Sequence, residues 1–124
     1  EIALIKLITP TTDDQRIKEI VKDASGFIYS VNLKGITGVK TAQVTEANEQ
    51  VKRIKKHTNL PVVAGFGIKT EEDVKSFSTS DCSGIVIGSA IVEKVTESVK
   101  KNEDKHIIAN VIKDYCKKLI KNLN

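Results

Sequence analysis

Short β-branched runs alternate along this chain with longer stretches of helical period. Residues 3–8 are apolar except for Lys6 and read as a first strand, ended by Thr9-Pro10, where proline withdraws a ladder donor. Thr12-Asp13-Asp14-Gln15 fits a capping box, with Thr12 as N-cap of a helix. Ile17, Ile20, Val21 and Ala24 then recur at i, i+3, i+4 and i+7, one apolar stripe. Residues 26–31 (GFIYSV) form a second strand, followed by a long polar connection over 32–44 that contains two glycines. Connections of that length inside a compact α/β unit are uncommon and tend to be functional, so mobility is expected there. A helix over 45–57 turns Ala47, Val51 and Ile54 inward, with His57 at its C-terminal end. Val62–Gly65 is a third strand, and Thr70-Glu71-Glu72-Asp73 caps a helix that buries Val74 and Phe77. A fourth strand spans 84–87 and reads as buried on both faces. Helices over 90–101 (Ile91, Val92, Val95, Val99) and 107–123 (Ile108, Val111, Ile112, Tyr115, Leu119, Leu123) complete the chain.

The order is strand–helix four times, then an extra helix. Such alternation implies parallel pairing. Four strands cannot close a barrel of the usual eight, and they leave two bare edges and one uncovered sheet face. Residues 1–124 therefore read as a single half-barrel domain. Either a further half is missing, or two copies pair to close a ring.

Composition narrows the function. The 124 residues carry a formal net charge of +4, with lysines spread over every helical segment. No basic cluster is interleaved with aromatics, so a nucleic-acid role has no support. The apolar runs are far short of a membrane span. Cys82 and Cys116 have no metal-type spacing and are too few for a disulfide scaffold, which points to a reduced, cytoplasmic protein. Neither His57 nor His106 has a partner at ligand spacing, and no metal site is expected. The chain starts with Glu1, not Met, already inside an apolar run, and so reads as a fragment or a processed product.

Two stretches carry candidate chemistry. In Ser83-Gly-Ile-Val-Ile-Gly-Ser-Ala-Ile91 a strand meets Gly88-Ser89 and a helix begins at once. Glycine lets a ligand approach the backbone, and the helix presents unpaired N–H groups and its positive dipole end. One βα unit upstream, Val62-Val-Ala-Gly-Phe-Gly-Ile68 repeats the pattern. Either junction alone is an ordinary tight turn. Together they make a phosphate clamp like that of the last two strands of phosphate-binding (β/α)8 barrels. The carboxylates Asp13, Asp14, Glu71, Glu72 and Asp73 all fall at helix starts and read as caps, not as catalytic pairs.

From residue 5 to about 101 the chain resembles the C-terminal half of the tryptophan synthase alpha chain family. The resemblance rests on Phe27-Ile-Tyr-Ser-Val-Asn-Leu-Lys-Gly-Ile-Thr-Gly38, Pro61-Val-Val-Ala-Gly-Phe-Gly-Ile68, Gly88-Ser-Ala-Ile-Val92 and the turn Thr9-Pro10-Thr11-Thr12, in family order and at family spacing. It implies the C-terminal half of a TIM (β/α)8 barrel: four βα units plus a C-terminal helix. The implied activity is a lyase that splits indole-3-glycerol phosphate into indole and glyceraldehyde 3-phosphate. The implied partner is a beta chain that consumes the indole with pyridoxal phosphate, so no cofactor is expected in this chain. Gly38, Gly67, Gly88 and Ser89 would hold the phosphate, while Tyr29, Thr37 and Phe66 would contact the substrate. Leu33 stands where many members have arginine.

The family's catalytic glutamate and aspartate lie in the first half of its barrel. No matching stretch is present here, so this chain is expected to hold no catalytic residue and to be inactive alone. Two other readings remain open: another phosphate-binding barrel, which would lack the Tyr29…Gly35-Ile-Thr-Gly38 loop, and a non-catalytic half-barrel that self-associates or pairs with the missing half.

Overall fold

In the computed structural model, which describes residues 2–32, 41–121 and 123, four parallel strands lie in the order β1-β2-β3-β4. They are β1 (Lys6–Ile8), β2 (Ile28–Val31), β3 (Val62–Gly65) and β4 (Gly84–Ile85). Helices α1 (Asp14–Lys22), α2 (Thr41–Lys55) and α3 (Glu71–Phe77) connect them, and α4 (Ser89–Lys100) and α5 (Lys105–Ile120) follow β4. The expected alternation is present throughout the described residues.

Strand ends are shorter than the apolar runs, for local reasons. Gly26 adopts φ +77°, and Leu4 is tied to Ser25, donating its N–H to the Ser25 hydroxyl at 3.0 Å. The ladder therefore starts only at Lys6↔Ile28, not at residue 3. At the far edge, Ala64 pairs with Ile85, and Val86 N–H still reaches the Ala64 carbonyl at 2.8 Å. Beyond that β3 has already turned, so Ile87 lies outside the strand. Residues 84–87 are half-buried, not buried on both faces, because only one face of the sheet is covered.

Helix starts also differ from the pattern. Thr12 does not cap α1: its hydroxyl accepts from Thr9 N–H at 3.2 Å and closes the Thr9–Thr12 turn. With that oxygen engaged, Asp13 becomes the N-cap and accepts from Arg16 N–H at 2.8 Å. Helix α2 opens at Thr41, so the polar connection ends four residues earlier than the apolar period implies; residues 33–40 lie outside the described residues. Helix α5 starts at Lys105, where Asp104 accepts from His106 and Ile107 N–H, and it stops before Leu123. The Thr70 capping box is present as read, with Asp73 reciprocating.

The helices cover one face of the sheet. Ile8, Ile17, Ile28, Val51, Ile54 and Val62 form one buried cluster beneath α1 and α2. Ala47, Ala64, Phe66, Ile68, Val74, Phe77 and Leu119 form a second beneath α2, α3 and α5. Each large side chain so buried contributes about 1.5–3 kcal/mol of transfer free energy. The opposite face holds Leu7, Tyr29 and Val63 in register and stays open, with Leu7 57 % exposed.

Candidate functional site

The C-terminal ends of β2, β3 and β4 surround a cavity of about 150 Å³. Its lining includes Tyr29 from β2, Gly65 at the end of β3, Gly67 and Lys69 from the β3–α3 connection, and Gly88 and Ser89 at the start of α4. Gly67 holds φ +65°, a conformation that L side chains rarely adopt, and this turns the chain off the end of β3. Gly88 is the N-cap of α4 and supplies no side-chain cap. Ile91 and Val92 N–H both reach the Gly88 carbonyl, at 3.0 and 3.1 Å, so the Ser89 and Ala90 N–H groups are the ones without an intrahelical partner at the positive dipole end. A Cβ at Gly88 would meet nothing within 4 Å, so the backbone there is open to a ligand.

The structure brings together Tyr29, Gly67 and the Gly88-Ser89 pair from three separate parts of the sequence. Thr37 and Gly38, like Leu33, lie outside the described residues. Phe66 does not line this cavity. The residue is 7 % exposed, its ring packs on Phe77 with centroids 5.7 Å apart, and it borders a separate cavity of about 260 Å³ together with Pro10, Gln50 and Arg53. Sequence reasoning passed over Gly65 and Lys69. Gly65 sits in the same glycine-bearing stretch as Gly67, the signal that could have found it, whereas no local pattern marks Lys69.

The cavity's charge is one-sided. Lys69 is the one charged residue in its lining among the described residues, and its ammonium contacts both Glu93 oxygens, at 2.7 and 2.9 Å. The main chain of Lys69 is held at both ends: its N–H donates to Asp73 Oδ2 at 2.9 Å, and its carbonyl accepts from the Tyr115 hydroxyl at 2.6 Å. Burial pushes the Tyr115 phenol above its ordinary pKa.

No carboxylate lines the cavity among the described residues. Asp13 and Asp73 are engaged in helix caps, and Asp14 pairs with Arg53 at 2.9 Å, a hydrogen bond that holds its carboxyl below the ordinary value. Among the described residues no three His, Cys, Asp or Glu side chains are grouped to hold a metal, and no helix is long and apolar enough to cross a membrane. The arrangement suits an anion: glycine backbone, a hydroxyl, a helix start and one cation around a small open cavity.

This architecture is half of a (β/α)8 barrel, with its candidate site at the C-terminal strand ends where such barrels carry theirs. The sequence model of the tryptophan synthase alpha chain family matches residues 1–121, and the chain belongs to that family. It is 45 % identical over 103 residues to the tryptophan synthase alpha chain of Phenylobacterium zucineum (strain HLK1), covering 83 % of this chain and 37 % of that one. It is 44 % identical over 102 residues to that of Bacillus thuringiensis (strain Al Hakam), covering 82 % and 39 %. A mutant alpha subunit from Pyrococcus furiosus superposes with a TM-score of 0.77 at 27 % identity, covering 97 % of this chain and 45 % of that chain. Tryptophan synthase from M. tuberculosis, in an aminoacrylate-bound form, shares the fold at 20 % identity with a TM-score of 0.75. The chain thus spans less than half the length of these relatives.

Proposed function

We propose that this chain supplies the phosphate-gripping half of a lyase that cleaves indole-3-glycerol phosphate to indole and glyceraldehyde 3-phosphate. The observation that carries the reading is the single cavity shared by Tyr29, Gly67, Gly88 and Ser89. In it the phosphate accepts hydrogen bonds from the Ser89 hydroxyl and from the free N–H groups of the first turn of α4. The glycines at 67 and 88 keep Cβ atoms out of its path. Tyr29 walls the side facing the rest of the substrate, and Thr37 and Gly38 act from the following loop. Phe66 has a lesser part, bordering the neighbouring cavity.

Proton transfer is not the work of these residues, since the described lining holds no carboxylate. A glutamate and an aspartate from outside this chain act as acid and base, so this chain alone gives no turnover. It needs no cofactor; pyridoxal phosphate belongs to a partner beta chain that takes up the indole. The setting is the cytoplasm.

Calorimetric titration with glycerol 3-phosphate tests the reading. Binding to the wild type that weakens about ten-fold in Ser89→Ala is the expected result, on the order of one charge-assisted hydrogen bond. A folded wild-type chain that takes up no phosphate ester overturns it.

A further inference from the structure

We propose that Lys69 is an anion-binding residue of the same cavity, its ammonium kept in place by Glu93 until a phosphate dianion competes for it. The inference rests on the phosphate reading above and names a residue that neither glycine turn would suggest. Lys69 is two positions beyond Gly67 and lines the cavity with Ser89. Glu93 lies four residues beyond Ser89 on α4, hence on the same helix face one turn along. The 2.7 Å Lys69–Glu93 contact therefore ties the ammonium to the helix whose N-terminus faces the cavity.

Two features let the ammonium exchange Glu93 for an anion while its backbone stays in place. First, the lysine's main chain is clamped by Asp73 and Tyr115, so the root of the side chain is fixed while its tip can move. Second, the pair is partly solvated, with side-chain exposures of 32 % and 55 %. A solvated pair is weak, and a phosphate dianion carries twice the charge of the carboxylate it must displace. The chemistry recognised is a phosphate monoester dianion.

The test is the sign of two substitutions. If the pair merely braces the loop, Lys69→Gln and Glu93→Gln break the same contact and shift affinity in the same direction. If Lys69 binds the anion, they shift it in opposite directions. We expect titrations with glycerol 3-phosphate and inorganic phosphate at low salt to weaken about five- to ten-fold in Lys69→Gln. They should strengthen about two- to three-fold in Glu93→Gln, where the ammonium is released. Lys69→Arg retains most of the affinity, and Lys75→Gln, on the exposed part of α3, controls for net charge. Parallel shifts, or a Lys69→Gln curve that overlays Lys75→Gln, overturn the proposal. If Ser89→Ala still weakens binding in that case, the phosphate reading stands without Lys69. A folded wild type that binds neither probe overturns both.

Discussion

The ring of Tyr29 occupies the space in which a Cβ of residue 65 would stand: a methyl built on Gly65 would lie 2.8 Å from Cζ and closer still to the hydroxyl oxygen. Both residues lie on the open face of the sheet, on neighbouring strands, and both line the cavity. Glycine at 65 is thus what lets the tyrosine lie down beside the strand ends. Gly65→Ala should force the ring aside at a cost of about 1–3 kcal/mol, the usual range for overpacking. In a double-mutant cycle with Tyr29→Ala the cost should largely vanish, because the clashing ring is gone. Urea denaturation of the four proteins measures it, and additive costs would contradict the contact.

Gly88→Val separates binding from folding. The first added carbon meets nothing within 4 Å, so stability should change by less than about 1 kcal/mol. The branched side chain instead enters the space beside Ser89. Affinity for glycerol 3-phosphate should fall by a few kcal/mol, roughly the loss of two charge-assisted hydrogen bonds. Unchanged binding by a folded variant would remove Gly88 from the site.

Which parts of this molecule could be read in advance follows from the range over which each is determined. The Thr70 box, the 47/51/54 stripe and the two glycine turns are local patterns, and each appears where its spacing places it. Thr12 misled because its hydroxyl had two suitable uses, and the turn to Thr9 took it. Helix α2 begins before its apolar period does, so hydrophobicity alone could not mark Thr41. Lys69 looked like any other lysine in a lysine-rich chain. Its place depends on Glu93, 24 residues away, and on Tyr115, 46 residues away, which no local spacing encodes. Apolar residues in a helix are no guide to burial by themselves either: of the valines along α4, Val92 and Val99 are each more than half exposed.

Tyr115 sets an alkaline limit. Burial favours its neutral phenol, so the folded state holds this proton more tightly than the unfolded state does. Its contribution is full below the ordinary value of 10.0 and is lost as pH rises through the higher folded value. Tyr115→Phe should therefore flatten the fall in stability above pH 10.0. At neutral pH it should cost about 0.5–1.5 kcal/mol, for the lost bond to the Lys69 carbonyl. Thermal melts of both proteins across this range decide the matter; parallel alkaline limbs would exclude the role.

The end of α4 offers a backbone test remote from the cavity. Asn102 stands at φ +54°, its N–H bonding the Val99 carbonyl at 3.0 Å, while Glu103 N–H reaches the Ser98 carbonyl at 3.2 Å. This is the Schellman arrangement, in which the left-handed position prefers glycine and tolerates asparagine. Asn102→Gly should be neutral or stabilise by up to about 0.5 kcal/mol, whereas Asn102→Val should destabilise by about 1–2 kcal/mol. Denaturation midpoints that order the variants otherwise would refute it.

The last expectation concerns the uncovered side of the sheet. Among the described residues β1 and β4 each have one neighbour, so each presents a row of backbone groups without a ladder partner there. The face between them carries the 57 %-exposed Leu7 in register with Tyr29 and Val63. Bare edges beside apolar side chains favour pairing with more chain, because each new ladder bond satisfies two groups at once. The solved Pyrococcus relative is more than twice as long, enough for four further strands. We expect the 124-residue chain alone to self-associate, with its apparent mass in sedimentation equilibrium rising with concentration. Adding a polypeptide that comprises the first half of a family barrel should suppress that association, give a one-to-one complex and restore cleavage of indole-3-glycerol phosphate. A well-folded monomer whose mass does not change up to high concentration would be fatal to this account. Association that the added half leaves unchanged would show that the copies close the ring with each other instead.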